Sequence, residues 1–338
     1  MGALRKAAIG CGGLGVLLAI GSAGLVGYGV ATFDRNFSFR ETPYPEVTAS
    51  ADPAVIERGR YLVTGPGHCS SCHAGTADRA HPERLTQDAP LSGGFEFAMG
   101  PIATVWAANL TSDEATGIGR FTDRELARAI RHGVLPDGRL SIFMAVSASK
   151  PSDDDLVAII SYLRSLPPVD RAVKPAEAGL LLKVMMPFVA FGPSAKPAPS
   201  HVPAGAEPTV ERGSYLANSV ALCVGCHSHY DTDTFQPVEP LAGGGVPDPS
   251  HGSDTDKEFC APNLTSDRTG VTGQLDEDAF VARMRRGRVY ASSIMPWENF
   301  AWTDEADLRS VYRYLKSLPP VANDVGPSYR DVGWEPPT

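Results

Sequence analysis

Four of the six cysteines in this 338-residue chain fall into two segments of one pattern, Cys69-Ser70-Ser71-Cys72-His73 and Cys223-Val224-Gly225-Cys226-His227. Two thiols separated by two residues, with a histidine next, have the spacing of a c-type haem attachment site. The thiols add across the porphyrin vinyl groups, and the histidine rises from the same short turn toward the iron. Attachment and proximal ligation thus come from one five-residue segment. Disulfide pairs or two zinc half-sites would use the cysteines but leave the repeated histidine unexplained. The chain is therefore expected to carry two covalently attached haem c groups, held by Cys69, Cys72 and His73 and by Cys223, Cys226 and His227.

Each iron then needs a distal ligand or an open position. Met144 and Met295 lie 71 and 68 residues beyond the two histidines and are the candidates. A thioether is a soft, neutral, weakly donating ligand that favours ferrous iron, which suits reversible electron transfer. Pro296-Trp297 follows Met295 and would hold its loop, whereas Met144 is followed by alanine. Met99, in a Gly-rich loop, and Met284, on an expected helix, read as packing residues. His68 and His229 stand too close to the attachment turns to cross a haem plane. His81, His201 and His251 sit in polar loops. His132 remains an alternative distal ligand or a propionate contact. Cys260 reads as a buried thiol that could reach the second iron only by displacing Met295. Arg283, Arg285, Arg286 and Arg288 could face propionates, a partner or solvent. No His-Glu-x-x-His segment is present, and Gly93-Gly94 and Gly243-Gly244-Gly245 lack the Gly-Lys-Ser/Thr that a phosphate loop requires. No catalytic residue is assigned.

The surroundings of the two sites are duplicated. Ile56-Glu57-Arg58-Gly59-Arg60-Tyr61-Leu62 returns as Val210-Glu211-Arg212-Gly213-Ser214-Tyr215-Leu216, and Asn109-Leu110-Thr111-Ser112-Asp113 as Asn263-Leu264-Thr265-Ser266-Asp267, both displaced by 154 positions. Tyr162-Leu163-Arg164-Ser165-Leu166-Pro167-Pro168-Val169 returns as Tyr314-Leu315-Lys316-Ser317-Leu318-Pro319-Pro320-Val321, displaced by 152. Each copy supplies one attachment site. Within a copy the pattern predicts helices: one over Pro53 to Thr64 delivers the chain to Cys69, and Glu211 to Ala217 begins its counterpart. Thr122 with Glu125 forms a capping box before the apolar stripe Leu126, Ala129 and Ile130, matched by about Asp276 to Arg286. Ser152 with Asp155 starts a helix that packs Leu156, Ile159, Ile160 and Leu163 inward until Pro167-Pro168 stops it. Thr303 begins the matching helix. The Asn-Leu-Thr segments are expected to shape loops near the cofactor edge.

Residues 7–31 carry no charged side chain, follow Arg5 and Lys6, and would span about 37 Å as a helix. The expectation is a transmembrane anchor with its basic end in the cytoplasm, with cleavage after Ala31 as the alternative. Formal net charge is -9, from 30 basic and 39 acidic residues, which excludes a nucleic-acid binder that works by neutralising phosphates. Gly 34 and Pro 29 make the chain loop-rich, yet 43% hydrophobic residues are enough for two cores. The expected division is a cytoplasmic N-terminus at 1–6, an anchor at 7–31, a linker at 32–49, the first copy at 50–170, a connector at 171–207, the second copy at 208–322 and a tail at 323–338. The apolar run Ala178 to Gly192 within the connector is expected to pack between the copies.

On these residues the chain resembles bacterial dihaem cytochromes c, especially the cytochrome subunits of membrane-bound alcohol, aldehyde and gluconate dehydrogenases. The resemblance covers about residues 50–170 and 208–322 and rests on the two attachment motifs, the paired Asn-Leu-Thr segments, Met144, Met295 and the two terminal Tyr-Leu-x-Ser-Leu-Pro-Pro-Val segments. It implies an all-α fold of tandem duplicated cytochrome c domains, each with one covalent haem, plus the N-terminal transmembrane helix. It also implies a place in the bacterial inner membrane with the haem domains in the periplasm. The implied function is relay of electrons from a periplasmic dehydrogenase or other respiratory donor toward quinone, a soluble cytochrome or a terminal oxidase. A dihaem redox enzyme, such as a peroxidase or a thiosulfate-oxidising enzyme, is the alternative. Two departures stand out: there is no third attachment site as in trihaem relatives, and Met144-Ala145 replaces the Met-Pro pairing seen at Met295-Pro296.

Overall fold

The computed structural model describes residues 2–76, 81, 84–147, 150–188, 192–193, 198–203, 205–231, 237–244, 248–249, 256–290 and 293–334. The chain opens with helix α1 (Gly2–Asn36). The first copy follows with α2 (Pro53–Thr64), the short attachment helix α3 (Ser70–His73), strands β1 (Glu96–Ala98) and β2 (Ala103–Trp106), then α4 (Asp123–His132), α5 (Ile142–Ser147) and α6 (Asp153–Ser165). Strand β3 (Glu177–Ala178) and helix α7 (Leu180–Met185) lead to the second copy. That copy contains α8 (Val210–Tyr215), a π-helical turn at Leu216–Val220, the attachment helix α9 (Cys223–Cys226) and strands β4 (His229–Tyr230), β5 (Pro237–Val238), β6 (Asp248–Pro249) and β7 (Lys257–Phe259). It ends with α10 (Val271–Gln274), α11 (Glu277–Arg285), α12 (Trp297–Ala301), α13 (Glu305–Ser317) and β8 (Tyr329–Asp331).

Local chemistry explains the helix boundaries. Asp52 caps α2 through the Ala54 amide with Pro53 in the first turn, where its missing N–H costs nothing. The capping box at Thr122 and Glu125 forms in both directions, and α4 stops at Gly133 in the left-handed region (φ 69°). Ser152 caps α6 and Asp276 caps α11. The last long helix starts at Glu305 with Asp304 before it, one residue beyond the expected start. In each copy the first helix crosses the last at a glycine. A Cβ on Gly59 would lie 1.9 Å from the Ala158 carbonyl oxygen, and one on Gly213 would lie 1.9 Å from that of Ser310. Only a residue without a side chain lets the two backbones approach so closely.

Two parts of the expected fold need correction. The chain is mostly helical but not all-α. β1-β2-β3 and β6-β7-β8 form equivalent antiparallel sheets, and β4 pairs with β5. These strands are two to four residues long, too short for their alternation to stand out in the sequence. The second correction concerns α1: among the described residues, no helix is long and apolar enough to cross a membrane. The expected transmembrane helix over 7–31, and with it the inner-membrane placement with periplasmic haem domains, is overturned. Gly21, Gly24, Gly27 and Gly29 dilute the apolar run, and Asp34 and Arg35 lie in the last turns. The end of α1 is instead committed to protein packing. A Cβ at Gly29 would lie 2.7 Å from the Lys183 carbonyl, Phe33 stacks on Phe37 at 4.8 Å, and Phe37 is buried with Val134, Leu140 and Met186. The connector run therefore packs α7 on α1 and on the first copy rather than between the copies; residues 189–191 of that run lie outside the described part.

The two copies meet in a reciprocal interface. Tyr61 donates to Asp307 at 2.6 Å, and its repeat equivalent Tyr215 donates to Asp155 at 2.8 Å. Each carboxylate is held by an arginine of its own copy: Arg58 pairs with Asp155 through contacts of 3.0 and 3.2 Å, and Arg212 pairs with Asp307 through two of 2.9 Å. One apolar cluster runs across the boundary, joining Leu62, Leu156 and Ile160 to Tyr215, Leu216 and Val220.

Candidate haem sites

Each attachment turn is entered through the same backbone device. His68 and Leu222, the residues before Cys69 and Cys223, both have positive φ (40° and 51°) although neither is glycine. Such a conformation persists only where its surroundings enforce it. His68 shows one enforcing contact, with its Nε2 3.2 Å from the Ala221 carbonyl of the other copy. The turn then lifts the next thiols into one short helix.

The histidine geometry is duplicated as well. His73 Nδ1 lies 2.8 Å from the Ala108 carbonyl, and His227 Nδ1 lies 2.9 Å from the Pro262 carbonyl, in each case 35 residues downstream. A carbonyl only accepts, so Nδ1 carries the proton and Nε2 keeps its lone pair. That is the arrangement in which an outer hydrogen bond orients a metal-binding imidazole. Burial, opposed in part by these carbonyls, holds both imidazoles below the ordinary histidine range and hence neutral. Burial and the neighbouring thiols push Cys69 and Cys223 up to about 12.

In the second copy a narrow apolar cavity of about 30 Å³ brings together Cys223 and Met295 of the expected residues; Cys226 and His227 do not line it. Phe280, Phe300 and Leu308 complete its walls, and Pro66 of the first copy closes one side. A thiol anchor, a thioether and apolar walls, with the neutral His227 imidazole four residues along from Cys223, are a donor set that a covalent porphyrin uses, so the residues fit a haem by their chemistry. Met284, read from sequence as packing, lines the same cavity. In the first copy Met144 sits half-buried on α5. That helix abuts the end of α4, where a Cβ on Gly133 would meet the Ala145 backbone at 2.6 Å.

The loop bearing Met295 is held by residues that sequence reasoning left unassigned. Arg288 donates to the Met295 carbonyl at 3.1 Å, to the Ser293 carbonyl, and to Glu298 at 2.7 and 2.9 Å. The Arg283 guanidinium lies 3.7 Å from the centre of the Trp297 ring. Half of the arginine cluster is thus spent on this loop, for which the signal was Arg288 and Glu298 ten residues apart around a methionine. Asn109 and Asn263 close turns and donate hydrogen bonds. Each donates at 2.8 Å to the carbonyl that follows the terminal helix, Val169 or Val321, and accepts from the Thr111 or Thr265 amide. They clasp the chain leaving α6 and α13 to the central loop.

The remaining candidates fall elsewhere. Cys260 is buried beside β7, bonded through its amide to Ser328, and does not line the cavity; burial raises its thiol, which keeps it protonated. His201 pairs with Asp154 at the surface, His229 faces the Gly244 carbonyl, and His132 is half-buried at the end of α4. His251 lies outside the described residues. Among the described residues no group of three or more His, Cys, Asp and Glu side chains converges to hold a metal ion.

No family model matches the chain. It is 30% identical to the alcohol dehydrogenase (quinone) cytochrome c subunit of Gluconacetobacter polyoxogenes, over 86% of this chain and 61% of that protein. It is 28% identical to the gluconate 2-dehydrogenase cytochrome c subunit of Pantoea cypripedii, over 79% and 60%. A dihaem c-type cytochrome of Cereibacter sphaeroides is 26% identical over 75% of this chain and 83% of its own length. The chain therefore spans about three fifths of the two longer subunits. These similarities show homology to cytochrome c subunits of dehydrogenases and to a dihaem cytochrome c.

Proposed function

We propose that this chain is a dihaem electron carrier that serves a dehydrogenase, taking electrons from it and delivering them to a respiratory acceptor such as quinone, a soluble cytochrome or a terminal oxidase. The observation that carries this reading is the duplicated proximal geometry: two attachment turns, each with a histidine whose Nδ1 is tied to a carbonyl and whose Nε2 is left for iron. A bound haem supplies reversible one-electron chemistry. The chain's own residues supply the rest. Cys69 and Cys72 in one copy, and Cys223 and Cys226 in the other, would fix the porphyrin covalently. Met144 and Met295 would present the distal thioethers, and Phe280, Phe300 and Leu308 exclude water from the second site. The similarity to cytochrome c subunits of dehydrogenases favours a non-catalytic subunit over a peroxidase-like enzyme. The test is low-temperature electron paramagnetic and near-infrared spectroscopy of the oxidised full chain, with haem quantified in the same sample. Two haems per chain, both low-spin with histidine and methionine axial ligands, are expected. A high-spin haem, or a single haem per chain, would sink the two-carrier reading.

A further inference from the structure

The cavity of the second copy is not built by that copy alone. Pro66, in the loop that leads to the first attachment helix, forms part of its wall, and the Phe300 ring meets the His68 ring edge-on at 6.2 Å. One side chain ties these parts together. Asn299 lies on α12, four residues after Met295, and is fully buried. Its Nδ2 donates to the Thr64 carbonyl at 2.5 Å and to Ser70 Oγ at 2.8 Å. Thr64 ends α2, and Ser70 is the residue after Cys69 inside the first attachment motif. Among the described residues Asn299 Oδ1 has no hydrogen-bond partner, so the two bonds donated by Nδ2 are the side chain's hold on the first copy.

From this juxtaposition we infer that Asn299 is a positioning residue coupling the two haem sites: it pins the Met295 arm of the second copy to the attachment helix of the first. The first copy makes a different contact after its own methionine: the Lys150 amide, six residues beyond Met144, donates to the Ser219 carbonyl at 2.8 Å. Losing the link frees the Met295 arm, so the thioether at the second site becomes easier to displace, while the Met144 site is unaffected. The inference rests on the electron-carrier reading and on Met295 as the distal ligand there.

The test is imidazole titration of the holoprotein, following the thioether–iron absorption band of each haem, the two being assigned with Met144→Ala and Met295→Ala. Ser70→Ala removes one hydroxyl from the first copy, far along the chain from Met295, and Asn299→Leu removes the amide at similar size. Both are expected to raise imidazole affinity at the second haem by about tenfold, a ratio equivalent to ~1.4 kcal/mol, with the first haem unchanged. Should Asn299→Leu fail to fold, Ser70→Ala alone decides. Unchanged affinity at the second haem in Ser70→Ala, or an equal rise at both haems, overturns the coupling and leaves the carrier reading standing. A wild-type protein without any thioether band overturns both.

Discussion

Two methionines compete for one role at the second site, since Met295 and Met284 both line the cavity. Their backbones decide between them. Met295 lies on a loop whose carbonyl is gripped by Arg288, whereas Met284 belongs to a regular helix and faces Leu241, Phe280 and Leu315 in the apolar cluster. Met295→Ala is therefore expected to abolish the thioether band of one haem and lower its midpoint potential. Met284→Ala should keep the band and only destabilise the fold, by less than the roughly 2–5 kcal/mol of a fully buried methionine truncation, since its side chain is half-buried. Spectroelectrochemistry and urea denaturation of both variants separate the outcomes. Cys260→Ser should leave both haem spectra unaltered, because that thiol is outside the cavity; a shifted Soret band in that variant would restore it as a ligand. A titrating group gives a further check at this scale. Burial pushes Asp307 up, but the hydrogen bond and charge of Arg212, with the Tyr61 hydroxyl, outweigh it and leave its carboxyl below the usual range. A depressed folded pKa stabilises the native state above the unfolded value and is lost as pH falls through the folded one. Asp307→Asn should thus cost about 3–5 kcal/mol near neutral pH, since it strands the buried Arg212, and the gap to wild type should narrow below about pH 4. Urea midpoints measured across that range test it.

At the scale of elements, the first and last helices of each copy form a crossed pair that frames the attachment turn. Their approach depends on Gly59 and Gly213, where an added methyl would meet backbone rather than a yielding side chain. Gly59→Ala should therefore force α2 off α6 and cost at least about 1–3 kcal/mol, the usual range for an overfilled core. Gly213→Ala should do the same to α8 and α13. An exposed glycine with open space around it and outside both haem sites, such as Gly24 on α1, is the control: Gly24→Ala should be nearly neutral. The clasp residues act at this level too. Asn109 and Asn263 each fasten the segment after a terminal helix to the central loop.

For the whole molecule, the duplication produces a pseudo-twofold contact in which each copy completes the other's ion pair. Tyr61 and Tyr215 cross the boundary, and Arg212 reaches Asp155 at 3.9 Å, so the two halves of the network touch. Tyr61→Phe and Tyr215→Phe should each cost about 1.5–3 kcal/mol, as expected for a hydrogen bond to a charged acceptor. Because their partners touch, the double variant should depart from additivity by at least ~0.5 kcal/mol. Calorimetry of the four proteins checks both points. Loss of this network should also split a single unfolding transition into two, whereas an unchanged single transition would mean that the apolar cluster alone joins the copies.

The two attachment motifs, the duplication and the amphipathic helices are written in local spacing: two intervening residues, a displacement of 154, a cap three residues before its partner. The helix over 53–64 and the capping box at Thr122 and Glu125 are legible for that reason. Other features depend on residues distant in the chain. Tyr61 meets Asp307 across 246 positions and Asn299 meets Ser70 across 229, and no periodicity announces either pair. The apolar run at the start reads as a membrane span on composition alone. Only its end meets protein, where Gly29 closes on the Lys183 carbonyl and Phe33 packs half-buried against the Phe37, Val134 and Met186 cluster, contacts that form only when the chain folds. Short strands, the grip of Arg288 on the Met295 loop and the shared wall at Pro66 belong to the same class: their free energy lies in contacts that loops close, not in the order of residues along one element.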